Sequence, residues 1–108
     1  MKTVIIGGRG IGKTRRLMAA CLANEGVFVC QNAERMREKA SAYGFHGLKI
    51  VSYRDVIDDI KEHPLSYSET TIKGYKNANN DYFYVDELEG FAQYIFLNHL
   101  KGYTLSED

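Results

Sequence analysis

The residues of this chain with the clearest chemical meaning are Gly7-Gly8-Arg9-Gly10-Ile11-Gly12-Lys13-Thr14. Glycines let the backbone turn tightly with its N–H groups pointing inward, close enough to wrap anionic oxygens. A helix that follows such a turn directs its N-terminal dipole at the same anion. Lys13 adds a point charge suited to the β- and γ-phosphates of a nucleotide, and Thr14 offers a hydroxyl to Mg²⁺. The segment fits G-x-x-x-x-G-K-[ST] at every fixed position. It predicts that Gly7, Gly8, Arg9, Gly10, Ile11, Gly12, Lys13 and Thr14 bind the phosphates of a nucleoside triphosphate. The alternative is a glycine-rich turn with an incidental lysine. The strand-before, helix-after context weighs against it.

The second constellation is Tyr82-Phe83-Tyr84-Val85-Asp86-Glu87. An apolar strand that ends in two acids puts carboxylates at the strand's C-terminal mouth, where open α/β sheets bind ligands. Asp86 is expected to hold Mg²⁺ through water, because that ion keeps several of its waters. Glu87, one residue further on, is expected to act as general base on an attacking water. The alternative is helix N-capping, since acids are favoured at a helix start.

These side chains need elements to position them. Thr3 to Ile6, Val27 to Cys30, Leu48 to Val51 and Tyr82 to Val85 are four short apolar runs that read as strands. A helix is predicted from about Lys13 to Asn24, with Leu17, Ala20, Cys21 and Asn24 on one side and Gly26 closing it. Asn32 caps a second helix with Ala33, Met36, Ala40 and Tyr43 on its stripe, ending at Gly44. Ser52-x-x-Asp55 resembles a capping box ahead of Val56, Ile57 and Ile60, in a helix that Pro64 stops. Leu65 to Asn80 is polar and reads as a long loop, with Lys73 and Lys76 as its useful charges. A last helix carries Leu88, Phe91, Ala92, Ile95 and Phe96 and runs to Gly102. Strands alternating with helices predict an α/β three-layer sandwich, a parallel sheet of about four to five strands covered on both faces. One domain spans 1–108.

Composition narrows the function classes. The chain has 108 residues, 44 % of them apolar, enough for one core. It carries 14 basic and 14 acidic residues, so no overall charge draws it to nucleic acid, and strong direct nucleic-acid binding is not expected. Cys21 and Cys30 form no CxxC pair, which argues for reduced thiols in a cytoplasmic protein. The N-terminal apolar run is too short for a signal peptide or a membrane span. His46, His63 and His99 have no partner at ligand spacing.

GGRGIGKT together with YFYVDE resembles the P-loop NTPases of the additional-strand class, whose acidic strand ends in Asp-Glu. VFVCQNAERMREKA and LKIVSYRDV look like the first half of a helicase or terminase motor domain. The resemblance implies a minimal P-loop NTPase fold, with Lys13 on phosphate, Thr14 and Asp86 on metal and Glu87 as base. The short length suggests a viral or mobile-element enzyme, in that case one of the host cytoplasm. Such motors also carry a sensor strand and an arginine aimed at the γ-phosphate. Thr104 and Ser106 read as solvated residues rather than a sensor, and Arg35, Arg37 and Arg54 qualify as the arginine only by charge. Thymidine kinases share the layout, but they carry a cysteine zinc site that this chain lacks.

Three activities are compatible with these residues. The first is slow, Mg²⁺-dependent hydrolysis of a nucleoside triphosphate. ATP is the default because no guanine-reading motif is present. Self-association or a partner would then supply the arginine. The second is a nucleotide-binding switch or adaptor with little hydrolysis, in which nucleotide orders the 65–80 segment. The third is a kinase-like phosphotransferase, for which no acceptor pocket is legible.

Overall fold

The computed structural model describes residues 5–6, 12–62, 71–72, 75–76 and 82–106, with 71–72 and 75–76 described as backbone. Helix α1 spans Lys13–Ala23. It starts after Gly12, whose φ of 76° lies in the left-handed region that favours glycine. The Arg16 N–H donates to Gly12 O at 3.0 Å and closes the first turn. Leu17, Met18 and Cys21 are buried, so Met18 joins the predicted stripe, while Asn24 stays outside and its side-chain amide donates to Ala20 O.

The end of α1 differs from expectation. Glu25 and not Gly26 takes the left-handed conformation, at φ 53°. The Gly26 N–H donates to Cys21 O at 2.9 Å and the Glu25 N–H to Leu22 O at 3.2 Å, which is a Schellman closure. Gly26 is needed for another reason. A Cβ there would lie 2.6 Å from the Tyr84 ring and 2.9 Å from Tyr82 O.

Strand β1 (Val27–Cys30) follows and is buried along its whole length. Helix α2 (Ala33–Ala42) is capped by Asn32, whose side chain accepts from the Arg35 N–H at 3.0 Å. It ends at Gly44, φ 83°. Strand β2 (Lys49–Ser52) leads directly into α3 (Tyr53–Glu62). The predicted capping box is reciprocal. The Ser52 N–H donates to the Asp55 carboxylate at 3.0 Å, and the Asp55 N–H donates to Ser52 Oγ at 3.1 Å.

Thr71–Ile72 (β3) and Tyr75–Lys76 (β4) pair antiparallel, Thr71 opposite Lys76. The segment read as a long loop therefore contains a small ribbon, built from β-branched and aromatic residues that favour extended backbone. Lys76 lies on β4, and Lys73 lies outside the described residues. Strand β5 (Phe83–Val85) precedes α4 (Leu88–Ile95).

Helix α4 stops earlier than the expected Gly102, because Leu97 and Asn98 turn left-handed at φ 53° and 66°. The Asn98 N–H donates to Gln93 O, and the Gln93 side chain both donates to Leu100 O and accepts from the Leu100 N–H. One glutamine thus ties down the chain after the helix. Residues 100–106 form no strand, and Thr104 and Ser106 are exposed, as solvated residues should be.

The main sheet has the order β2-β1-β5 and is parallel throughout, with Val27 opposite both Lys49 and Phe83. Among the described residues this sheet has three strands, where four to five were expected. Thr3 and Val4 lie outside the described residues, and Ile5 and Ile6 carry no strand. Ile5 packs against the core, whereas Ile6 is exposed. On one face Phe28, Cys30 and Ile50 meet Leu17, Met18 and Cys21 of α1 and Met36 and Ala40 of α2. On the other, Val27, Val29 and Val51 meet Tyr53 and Val56 of α3, with Phe91 of α4 against them. Alternate side chains of a central strand point to opposite faces, so β1 supplies both cores. Phe28 is fully buried, a burial that stabilises by about 1.5–3 kcal/mol. The fold is α/β, a small parallel sheet with helices on both faces. No helix among the described residues is long and apolar enough to cross a membrane.

Candidate functional site

The parallel sheet sends the C-terminal ends of β1, β2 and β5 to one edge. The Asp86 N–H donates to Val29 O at 2.8 Å and carries the β5 ladder one residue past the strand. Asp86 is thereby held at the mouth of the sheet, where the start of α1 also lies. The Thr14 hydroxyl donates to the Asp86 carboxylate, 3.2 Å to one oxygen and 3.4 Å to the other. Beside it, Lys13 Nζ stands 3.4 Å from Glu87 Oε1. Two consecutive residues of the first helix thus meet two consecutive acids separated from them by more than 70 positions.

Helix N-capping does not account for the acids. Glu87 occupies the capping position of α4, but its side chain makes no capping bond and turns to Lys13 instead. Its backbone is left-handed, φ 57° and ψ 69°. That conformation is uncommon for a residue with a side chain and persists where the surroundings over-determine it.

The two acids differ electrostatically. Burial raises the Asp86 carboxyl above its ordinary value, the Thr14 hydrogen bond lowers it, the Glu87 charge raises it and Lys13 lowers it. Burial dominates, so the folded protein holds a half-buried carboxylate whose charge its neighbours do not fully compensate. The Glu87–Lys13 pair is more open: the two side chains are 61 % and 26 % exposed, so water screens them and an arriving ligand can separate them.

The residues expected at the site are thus partly together. Gly12 lies at the start of α1, and Lys13, Thr14, Asp86 and Glu87 converge. Gly7, Gly8, Arg9, Gly10 and Ile11 lie outside the described residues. Arg15 is directed elsewhere, its guanidinium 5.3 Å from the centre of the Tyr43 ring. Two of the three arginines considered for the γ-phosphate, Arg37 and Arg54, also have other contacts. Arg37 donates to Ile50 O at 3.2 Å, and Arg54 pairs with Asp58 one turn along α3. Cys21 and Cys30 are free and buried, and burial pushes both thiols up to about 12.

The sequence reading missed Tyr53. This first residue of α3 is 3 % exposed. Its hydroxyl donates to Asp86 O at 2.6 Å and to Glu87 O at 3.1 Å. Burial, with the nearby Asp86 charge, raises its phenol well above the ordinary value and keeps it a donor. The available signal was its position, a polar aromatic immediately after the C-terminal end of a buried strand.

Among the described residues no group of three or more His, Cys, Asp and Glu could hold a metal ion. Thr14 and Asp86 supply two hard oxygen donors. That set is too small to hold a cation alone, but it suits Mg²⁺, which takes one or two protein oxygens and completes its shell with water and phosphate. A pocket of about 370 Å³ lined by Leu22, Glu25, Gly26, Gly47, Leu48 and Lys49 opens at the N-terminal ends of β1 and β2, away from these groups. Comparison with protein-family models, with curated proteins and with solved structures finds no match to this chain.

Proposed function

We propose that this chain is a P-loop nucleotide-binding protein that takes a nucleoside triphosphate, ATP by default, with Mg²⁺ and hydrolyses it slowly. The observation that carries the reading is the meeting of Lys13 and Thr14 with Glu87 and Asp86 at the C-terminal edge of a parallel sheet. The glycine-rich segment just before Lys13 supplies the backbone amides for the phosphates. Thr14 and Asp86 hold Mg²⁺, which neutralises charge on the phosphate oxygens when it is bound. The uncompensated charge of Asp86 favours a cation there.

Lys13 binds the β- and γ-phosphates and must leave Glu87 to do so. That exchange frees the Glu87 carboxylate to orient water and accept its proton. Slow turnover follows, because no described arginine stands at the site and one from a second copy or another protein is required. The balanced charge of 14 basic and 14 acidic residues gives nucleic acid no overall electrostatic attraction to this chain.

The test is thermal unfolding with ATP, GTP and ADP, each with Mg²⁺ and with EDTA, on the wild type and Lys13→Ala. Ligand at a hundred times its Kd stabilises by about 2.7 kcal/mol. The wild type should show that rise and Lys13→Ala should lose it. A wild-type melting curve unmoved by every nucleotide rejects the reading. Single-turnover hydrolysis then separates enzyme from switch. An enzyme loses turnover in Glu87→Gln and keeps binding. In a switch, bound ATP persists for hours in both proteins.

A further inference from the structure

Asp86 and Glu87 reach Thr14 and Lys13 because the chain between β5 and α4 takes one particular turn. Glu87 is left-handed in that turn; its side chain makes no capping bond, and its carbonyl accepts the Phe91 N–H at 3.0 Å as the first bond of α4. The Tyr53 hydroxyl spans the turn from inside, donating to the carbonyls of both acids, 2.6 Å to Asp86 and 3.1 Å to Glu87. Its ring is held by packing. The Phe91 ring lies 5.0 Å away and the Tyr94 ring 6.0 Å away, both on α4. The Ser52–Asp55 capping box sets the start of α3, and so the place from which Tyr53 projects.

We infer that Tyr53 is a positioning residue of the nucleotide site: its hydroxyl holds the Asp86-Glu87 turn so that the two carboxylates face Thr14 and Lys13. The inference rests on the nucleotide reading for its ligand, but the positioning itself is a property of the ligand-free protein. Without the hydroxyl, the Asp86 and Glu87 carbonyls lose a shared buried donor and the left-handed Glu87 can relax. The Asp86 carboxylate then moves off the line between the strand and Thr14. Mg²⁺ feels this most, since it demands near-ideal geometry from few protein oxygens. Nucleotide bound without Mg²⁺ feels it least, since the Asp86 carboxylate then has no metal to hold.

The experiment compares Tyr53→Phe, which keeps the ring, with Phe91→Leu, which loosens the ring's seat and leaves the hydroxyl. Affinity for ATP is measured with Mg²⁺ and with EDTA, and backbone amide resonances are recorded without ligand. Tyr53→Phe should weaken Mg²⁺-dependent ATP binding about tenfold, leave binding in EDTA within about twofold, and shift the Lys13 and Thr14 amides. Phe91→Leu should lower the melting temperature and leave both affinities within about twofold. Equal losses with Mg²⁺ and with EDTA in Tyr53→Phe, or the same selective loss in Phe91→Leu, overturn the positioning role. If the wild type binds no nucleotide, the functional reading fails by itself. The amide shifts at 13 and 14 still decide the Tyr53 claim, and resonances that move only around the ring refute it.

Discussion

Replacing Thr14 by valine keeps the side chain's shape and removes only the hydroxyl that joins α1 to Asp86. A hydrogen bond to a charged group contributes about 1.5–3 kcal/mol. The two Thr14–Asp86 distances, 3.2 and 3.4 Å, are long for O–H···O, and the site is half-open to water. The loss in the ligand-free protein should therefore be about 1 kcal/mol, or roughly 4 °C in Tm for a domain of this size.

The Asp86 carboxyl gives a second readout. The Thr14 bond is the leading influence that lowers it, so Thr14→Val should move its titration further up. A carboxyl raised in the folded state contributes stability that is present below its unfolded value, 3.8, and is lost as pH rises through its folded value. Thr14→Val should extend that loss to higher pH, and the variant's deficit relative to wild type should be smallest in acid. The third readout is Mg²⁺. Wild-type protein saturated a hundredfold with Mg²⁺ and ATP should gain about 2.7 kcal/mol, roughly 10 °C. Thr14→Val should lose the part of that gain that EDTA removes, and Thr14→Ser should restore it. Differential scanning fluorimetry from pH 4 to 8, with Mg²⁺ or EDTA, measures all three. A Thr14→Val protein with the full Mg²⁺-dependent gain would refute the assignment of Thr14 and Asp86 to the metal.

Other expectations concern the scaffold. Gly26→Ala should destabilise by about 1–3 kcal/mol, because the new Cβ meets both the Tyr84 ring and the immobile Tyr82 carbonyl; urea unfolding reads this directly. If Tyr84→Ala in the same background restores none of the loss, the ring is not the obstacle. With both thiols pushed up to about 12, Cys21 and Cys30 should resist a thiol reagent at pH 8 in native protein and react in denaturant. Fast reaction of either in native buffer would show that the α1–β1 core opens readily.

Local chemistry made much of this protein legible. The Asn32 cap, the reciprocal Ser52–Asp55 box and the left-handed Gly44 each depend on residues a few positions apart. The burial of β1 on both faces follows from an uninterrupted Val-Phe-Val-Cys run in an alternating α/β pattern. Where the local reading erred, a partner distant in sequence had decided. Gly26 does close α1 through its N–H, but the left-handed residue is Glu25, and Tyr84, from another strand, is what excludes a side chain at Gly26. Helix α4 reads as running to Gly102, but the Gln93 amide prefers the backbone of Leu100. The candidate site divides in the same way. The sequence alone nominated Lys13, Thr14, Asp86 and Glu87, because their types and flanking patterns carry the chemistry. Only the tertiary structure could put Thr14 within 3.2 Å of Asp86 and direct Glu87 to Lys13. Only it could bring up Tyr53 beneath both carbonyls. Those contacts depend on parallel register and on how helices pack across a sheet, which no short window of residues encodes.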